Sequence, residues 1–167
     1  MAKHTIVALV EDKPGVLNRV ASLFRRRGFN IDSIAVGHSE LPNISRMTIV
    51  VDGTANIIEQ VRKQLDKVAD VVKVSDITSS NLVARELALI KVNANPVTRS
   101  EIMQIVDIFR ANIVDVGIDS VTVEVTGDED KIDSLSSLLR TFGIKELART
   151  GRIALPRGNQ GVIQAGW

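Results

Sequence analysis

The chain has 167 residues, 44% of them hydrophobic and 25% charged, with a formal net charge of +1 at neutral pH. That length admits one medium domain or two small ones with separate cores, and the composition is that of a globular protein, not a disordered one. Near-zero charge provides no global field toward nucleic acid or acidic membrane, and the absence of Cys excludes disulfides and thiolate chemistry. No apolar run is long enough to span a bilayer, and with no secretory apolar region at the N-terminus the expected location is the cytoplasm.

The first element is the apolar run Thr5-Ile6-Val7-Ala8-Leu9-Val10, which reads as a buried strand. Glu11-Asp12-Lys13-Pro14-Gly15 follows as a strand-to-helix turn, with Pro14 suited to a helix's first turn, where its missing N–H has no intrahelical partner. Val16, Val20, Leu23 and Phe24 recur at helical spacing and define a packing face; Gly28 stops the helix near Arg27. Ile31 to Val36 reads as a second strand, and the loop His38-Ser39-Glu40-Leu41-Pro42-Asn43 leads to a third over Arg46–Asp52. Ile57, Ile58, Val61, Leu65 and Val68 mark an amphipathic helix, and Val71 to Ile77 closes the unit as a strand.

Thr78-Ser79-Ser80-Asn81 is a polar break and the expected domain boundary. The pattern then repeats. A strand over Glu86–Val92 precedes Thr98-Arg99-Ser100-Glu101, which has capping-box spacing and opens a helix facing inward with Ile102, Ile105, Val106 and Phe109. Asn112–Val116 and Val121–Val125 form a hairpin around Gly117-Ile118-Asp119-Ser120; a helix with Ile132, Leu135 and Leu139 ends at Gly143; Ile144–Arg149 is the last expected strand. At a period of roughly 80 residues the halves superimpose, Asn30-Ile31 on Asn112-Ile113.

The reading is α+β, two tandem ferredoxin-like βαββαβ domains: residues 1–78, residues 82–157, and a mobile tail over 158–167. Two helices cover one face of each sheet. Strands apolar on both faces, such as Ile6–Val10 and Ile49–Val51, leave the other face to be covered by a sister domain, a second copy or a larger partner. At least an obligate dimer is expected.

Most chemistry is excluded. His4 and His38 stand far apart in sequence without companions at ligand spacing, so no metal site is expected, and no phosphate loop, dinucleotide fingerprint or nucleophile elbow occurs. Without Tyr, with Phe confined to helices or their flanks, the sheets lack the aromatics that stack on RNA. A ferredoxin-like phosphatase would need an anion cradle before the first helix, where Glu11 and Asp12 would repel phosphate. A free amino acid fits better. Its carboxylate can take the open N–H groups of the helix start, which Gly15 leaves accessible, and Asn30 offers both donor and acceptor to a zwitterion.

Glu11-Asp12-Lys13-Pro14-Gly15-Val16-Leu17 with Gly28-Phe29-Asn30-Ile31 resembles the signature of ACT domains, sensing modules of amino-acid metabolism. Ser45-Arg46-Met47-Thr48, Arg85–Val92, Ile108–Val116 and Ala148–Leu155 further resemble the small, regulatory subunit family of acetohydroxyacid (acetolactate) synthase. The resemblance implies a non-catalytic subunit that forms a homodimer, activates a large catalytic subunit carrying thiamine diphosphate, Mg²⁺ and FAD, and confers feedback inhibition by L-valine. It places the effector between two ACT domains, against Asp12, Gly15, Val16, Leu17 and Asn18 of one chain and Asn30, Ile31 and Ile34 of the other. Asp12 departs from the Asn common in the family, and beside an effector carboxylate it would weaken binding. The alternative is a stand-alone ACT-type sensor acting on another enzyme.

Overall fold

The computed structural model describes residues 2–159 and 161, so part of the expected tail, residues 160 and 162–167, lies outside the described residues. The elements are β1 (Ala2–Glu11), α1 (Val16–Arg27), β2 (Ile31–His38), β3 (Ile44–Gly53), α2 (Ala55–Asp66), β4 (Val71–Asp76), β5 (Leu82–Asn93), α3 (Thr98–Ile108), β6 (Asn112–Val116), β7 (Ser120–Gly127), α4 (Glu129–Leu139), β8 (Ile144–Arg149) and β9 (Ile153–Pro156). The α+β architecture is βαββαβ twice over, as the periodicity implies. Two compact units result, one of residues 1–83 with 152–167, the other of residues 84–151.

In the first unit the antiparallel sheet has the order β2-β3-β1-β4. Because side chains alternate across a strand, Ile6, Ala8 and Val10 of β1 and Met47, Ile49 and Val51 of β3 face the helices. There they meet Val16, Val20, Leu23 and Phe24 of α1 and Ile58, Val61 and Leu65 of α2. Thr54 caps α2 with its hydroxyl, which accepts from the Ile57 N–H. Strand β2 is an edge, antiparallel to β3, pairing Ile31 with Val51 at one end and His38 with Ser45 at the other. His38 thus belongs to the strand, not to the loop after it, since the β2–β3 ladder continues almost to the turn.

Strand β9 is an element the sequence reading did not contain. It pairs with β5, and the Arg157 N–H donates to the Asn81 carbonyl at 2.7 Å. The Arg46 guanidinium donates to the Ala154 carbonyl at 2.8 Å and Arg152 to the Thr5 hydroxyl at 3.3 Å. The segment from Arg152 therefore packs with the first compact unit. Thr5, Val7, Leu9, Thr48 and Val50, on the sheet face away from the helices, are all buried within the chain. Burial holds the Arg46 guanidinium below the usual arginine pKa, with the Glu40 charge pulling the other way.

The second unit repeats the order as β6-β7-β5-β8. Ala88, Ile90 and Val92 of β5 and Val121, Val123 and Val125 of β7 pack on Ile102 and Val106 of α3 and Ile132, Leu135 and Leu139 of α4. Arg149 at the end of β8 donates to Glu86 at 2.7 Å and to Asp133 at 2.6 Å. Burial opposes its charge, but the hydrogen bonds to Asp133 and Glu86 outweigh that and raise its pKa. Arg149→Ala is expected to cost about 1–3 kcal/mol in urea denaturation, because it strands the buried Glu86 carboxylate; Glu86→Gln should recover part of that loss in the double variant.

Candidate functional site

The loop between β1 and α1 is tied down on three sides. The Asp12 N–H donates to the Asn43 carbonyl at 2.9 Å, which anchors the loop to the turn before β3. Lys13 Nζ lies 2.6 Å from Glu11 Oε2, and this contact raises the lysine pKa. Gly15 then takes φ +85°, the left-handed region in which a side chain is strained. Its carbonyl accepts the first bond of the helix, from the Arg19 N–H at 3.0 Å. Helix α1 consequently begins at Val16, and Pro14 stands in the turn before it instead of in the first helical turn.

Arg19 completes the arrangement. Its Nε and Nη2 each reach Asp70 Oδ2 at 2.5 Å, and Asp70, 15% exposed, also accepts the Glu11 N–H through its backbone carbonyl at 2.8 Å. A Cβ on Gly15 would come within 3.1 Å of Arg19 Nη1. The guanidinium therefore fills the space that glycine leaves free on that side.

The two helix starts differ in the way that matters for a ligand. No side chain caps α1. At the corresponding place in the second unit, Asn95 Oδ1 accepts from the N–H groups of Val97 and Thr98 at 2.9 and 2.8 Å, and Thr98 Oγ1 accepts from the Asn95 N–H at 3.0 Å. Asn95, not Thr98, is the capping side chain of α3, which corrects the capping-box reading. The first-turn N–H groups of α3 are thus partly satisfied by a side chain; on α1 the Val16 N–H donates to the Lys13 carbonyl at 3.4 Å, and no side chain takes those of Leu17 and Asn18.

The expected site residues fall into two groups. Asp12, Gly15, Val16, Leu17 and Asn18 cluster at the loop and helix start. Val16 turns its side chain into the core, so it offers only backbone; Leu17 is 51% exposed and Asn18 is exposed. Asn30 immediately precedes β2, and Ile31 and Ile34 lie along it, packed against the core from the edge. Ile31 and His38 are seven positions apart, about 23 Å at ~3.3 Å per residue, and His38 marks the loop end because its Nδ1 is 3.5 Å from Asp12 Oδ2. A single chain does not bring Asn30 and Ile31 to the loop.

Two residues that the sequence reading did not nominate stand at the loop end of β2. Val36, 48% exposed, shares the helix-side face with Ile34, as pairing to Met47 and Ile49 places them. His38 contacts Asp12. The alternation Ile34, Val36, His38 is the sequence signal for both, legible once β2 is carried through to His38. A groove between α1 and α2, lined by Asn18, Arg19, Ser22, Arg26, Gln64 and Lys67, opens on the other flank of α1, about 200° round the helix from Leu17 at Arg19. Among the described residues, no three or more His, Asp or Glu side chains gather to hold a metal ion, and no helix is long and apolar enough to cross a membrane.

Comparison with known proteins accounts for both units. Residues 6–73 match the family model of the small subunit-like ACT domain of acetohydroxyacid synthase, and residues 85–158 match that of the small subunit of acetolactate synthase. A protein of Archaeoglobus fulgidus named a probable acetolactate synthase small subunit is 60% identical over 95% of this chain and 99% of its own length. The chain belongs to the acetolactate synthase small-subunit family. Within that family it is also 50% identical to the acetolactate synthase small subunit of Mycobacterium bovis, over 95% of each chain. The crystal structure of the acetolactate synthase small subunit from Thermotoga maritima superimposes with a TM-score of 0.90 at 44% identity, covering 96% of this chain and all of that one. The two family matches thus fall on the two βαββαβ repeats, the second running on through β9.

Proposed function

We propose that the chain is a non-catalytic regulatory subunit that assembles with the catalytic subunit of acetolactate synthase, raises its activity and carries a site for L-valine as feedback effector. The observation that carries the effector site is the uncapped start of α1 at Gly15, set against the self-capped start of α3. An amino-acid carboxylate satisfies those N–H groups and gains from the helix dipole, and the exposed Leu17 and Val36 offer apolar surface to an aliphatic side chain. The names of the relatives support the choice of partner. Thiamine diphosphate, Mg²⁺ and FAD belong in this reading to the catalytic subunit.

The edge position of β2 supports a homodimer that completes the site. Antiparallel pairing of β2 with the same strand of a second copy, about a twofold axis between Ile34 and Ala35, sets residue 31 of one chain opposite residue 38 of the other. Asn30 and Ile31 of the partner subunit then stand at the Asp12 end, where the effector's ammonium needs a carboxamide oxygen. Binding between two chains lets valine favour one dimer arrangement over another. Its influence on catalysis is bounded by the difference in affinity for the two, typically ~1–3 kcal/mol.

The test is acetolactate formation from pyruvate by the matching catalytic subunit, with and without this chain, each titrated with L-valine. Stimulation that valine reverses is the expected result. Stimulation without valine sensitivity would remove the effector site from the reading, and no stimulation would remove the partner.

A further inference from the structure

A catalytic subunit that assembles with this chain needs a surface to dock on, and the first unit offers one apart from the effector site. We propose, on the footing that the catalytic subunit is the partner, that the groove between α1 and α2 receives an acidic segment of it. The groove holds about 480 Å³ and is lined by Asn18, Ser22 and Arg26 of α1 and by Gln64 and Lys67 at the end of α2, with no Asp or Glu among its lining residues. Arg19 lines it too, but Asp70 already holds that guanidinium. The side chains of Arg26 and Lys67 are exposed and make no hydrogen bond or ion pair among the described residues. Two positive charges therefore stand in the groove without an anion.

The helix dipole favours cations at a C-terminus without any ligand, and that suffices for Arg25, Arg26 and Arg27 in the last turn of α1 taken alone. It does not account for the groove. Arg26 and Lys67 come from different helices onto one concave surface, whose other polar groups, Asn18, Ser22 and Gln64, can each donate to a carboxylate. Asn18 and Arg26 are eight positions apart on α1, about 12 Å at the helical rise, so the lining suits a stretch of chain carrying several carboxylates better than one small ion. The charge of the unit points the same way. Residues 1–83 with 152–167 hold 13 Lys and Arg against 9 Asp and Glu, an excess that the near-neutral total conceals because residues 84–151 hold 8 against 11. Such an excess steers an acidic surface toward the first unit.

The experiment is surface plasmon resonance of the full chain with the matching catalytic subunit, at low and at raised salt. It compares the wild type with Arg26→Glu/Lys67→Glu, with Arg26→Gln/Lys67→Gln, and with the control Arg110→Glu/Arg140→Glu, which makes the same change of net charge at exposed positions of the second unit. At low salt the charge-reversed groove variant is expected to bind at least about 30-fold more weakly than the wild type, and the neutralised one about tenfold, while the control stays within about threefold. The gap between the wild type and the groove variants should narrow as salt rises, because the attraction is screened. Circular dichroism controls for folding, which these exposed positions should leave intact. Wild-type affinity in the charge-reversed groove variant, or an equal loss in the control, would overturn the docking surface and leave the partner in place. No binding by the wild type would remove the partner itself, and the docking surface with it.

Discussion

Gly15→Asp is expected to abolish the response to L-valine while the chain still folds and still stimulates the catalytic subunit. Gly15 stands at φ +85°, where a non-glycine residue costs about 1–2 kcal/mol. That is less than a domain's usual margin of stability. The added Cβ meets Arg19 Nη1 at 3.1 Å, the far end of a flexible side chain, which can give way. The new side chain, however, starts beside Arg19 Nη1 at the head of α1. It would put bulk and a second negative charge, besides that of Asp12, at the N–H groups proposed for the effector. Valine affinity should drop at least about 100-fold, the scale of one lost charge-assisted hydrogen-bond set. Calorimetry and a valine titration of the assembled enzyme measure this, with circular dichroism as the control for folding. Gly15→Ala separates strain from charge: it lacks the carboxylate and should weaken binding by only about tenfold. Valine inhibition retained in the aspartate variant would count against the site.

The largest loss of stability is expected from Phe24→Ala. Phe24 is fully buried on the inner face of α1, and its ring meets that of Phe29 edge to face, centroids 6.1 Å apart at 77°. Removing a buried phenylalanine costs about 3–5 kcal/mol, through lost transfer energy and the cavity left behind, and the aromatic pair adds to it. The position also bears on the site. The Phe29 N–H donates to the Phe24 carbonyl at 3.0 Å across the Gly28 helix stop, and Phe29 precedes Asn30 and Ile31. Urea denaturation measures the loss, and hydrogen exchange should locate it first in the amides of α1 and β2. A loss below about 1 kcal/mol would mean that the first core repacks around the gap.

Much of the architecture was legible because its signals are local. The apolar stripe Val16, Val20, Leu23, Phe24 needs only helical spacing to be read, and Gly28 and Gly143 end helices through backbone conformation alone. Strand β9 was not legible. Ile153-Ala154-Leu155 between Gly151 and Pro156 is too short to stand out as a strand, and its pairing near Asn81 joins segments more than 70 residues apart. The capping of α3 was misassigned because Asn95 and Thr98 are both good capping residues three positions apart. Backbone geometry, which aims Asn95 Oδ1 at two N–H groups, selects between them.

For the candidate site, the sequence by itself determined the chemistry: an open helix start behind a glycine, an acidic loop, an asparagine ahead of an edge strand, and no cysteine or aromatic surface for other work. Only the tertiary structure decided where these stand. The period of a strand tells which face a side chain takes, but not which strands are neighbours or at what register they pair. The order β2-β3-β1-β4 and the pairing of His38 with Ser45 put His38 against Asp12 and carry Asn30 and Ile31 to the far end of the strand. That separation is why the proposed effector site is assigned to two chains.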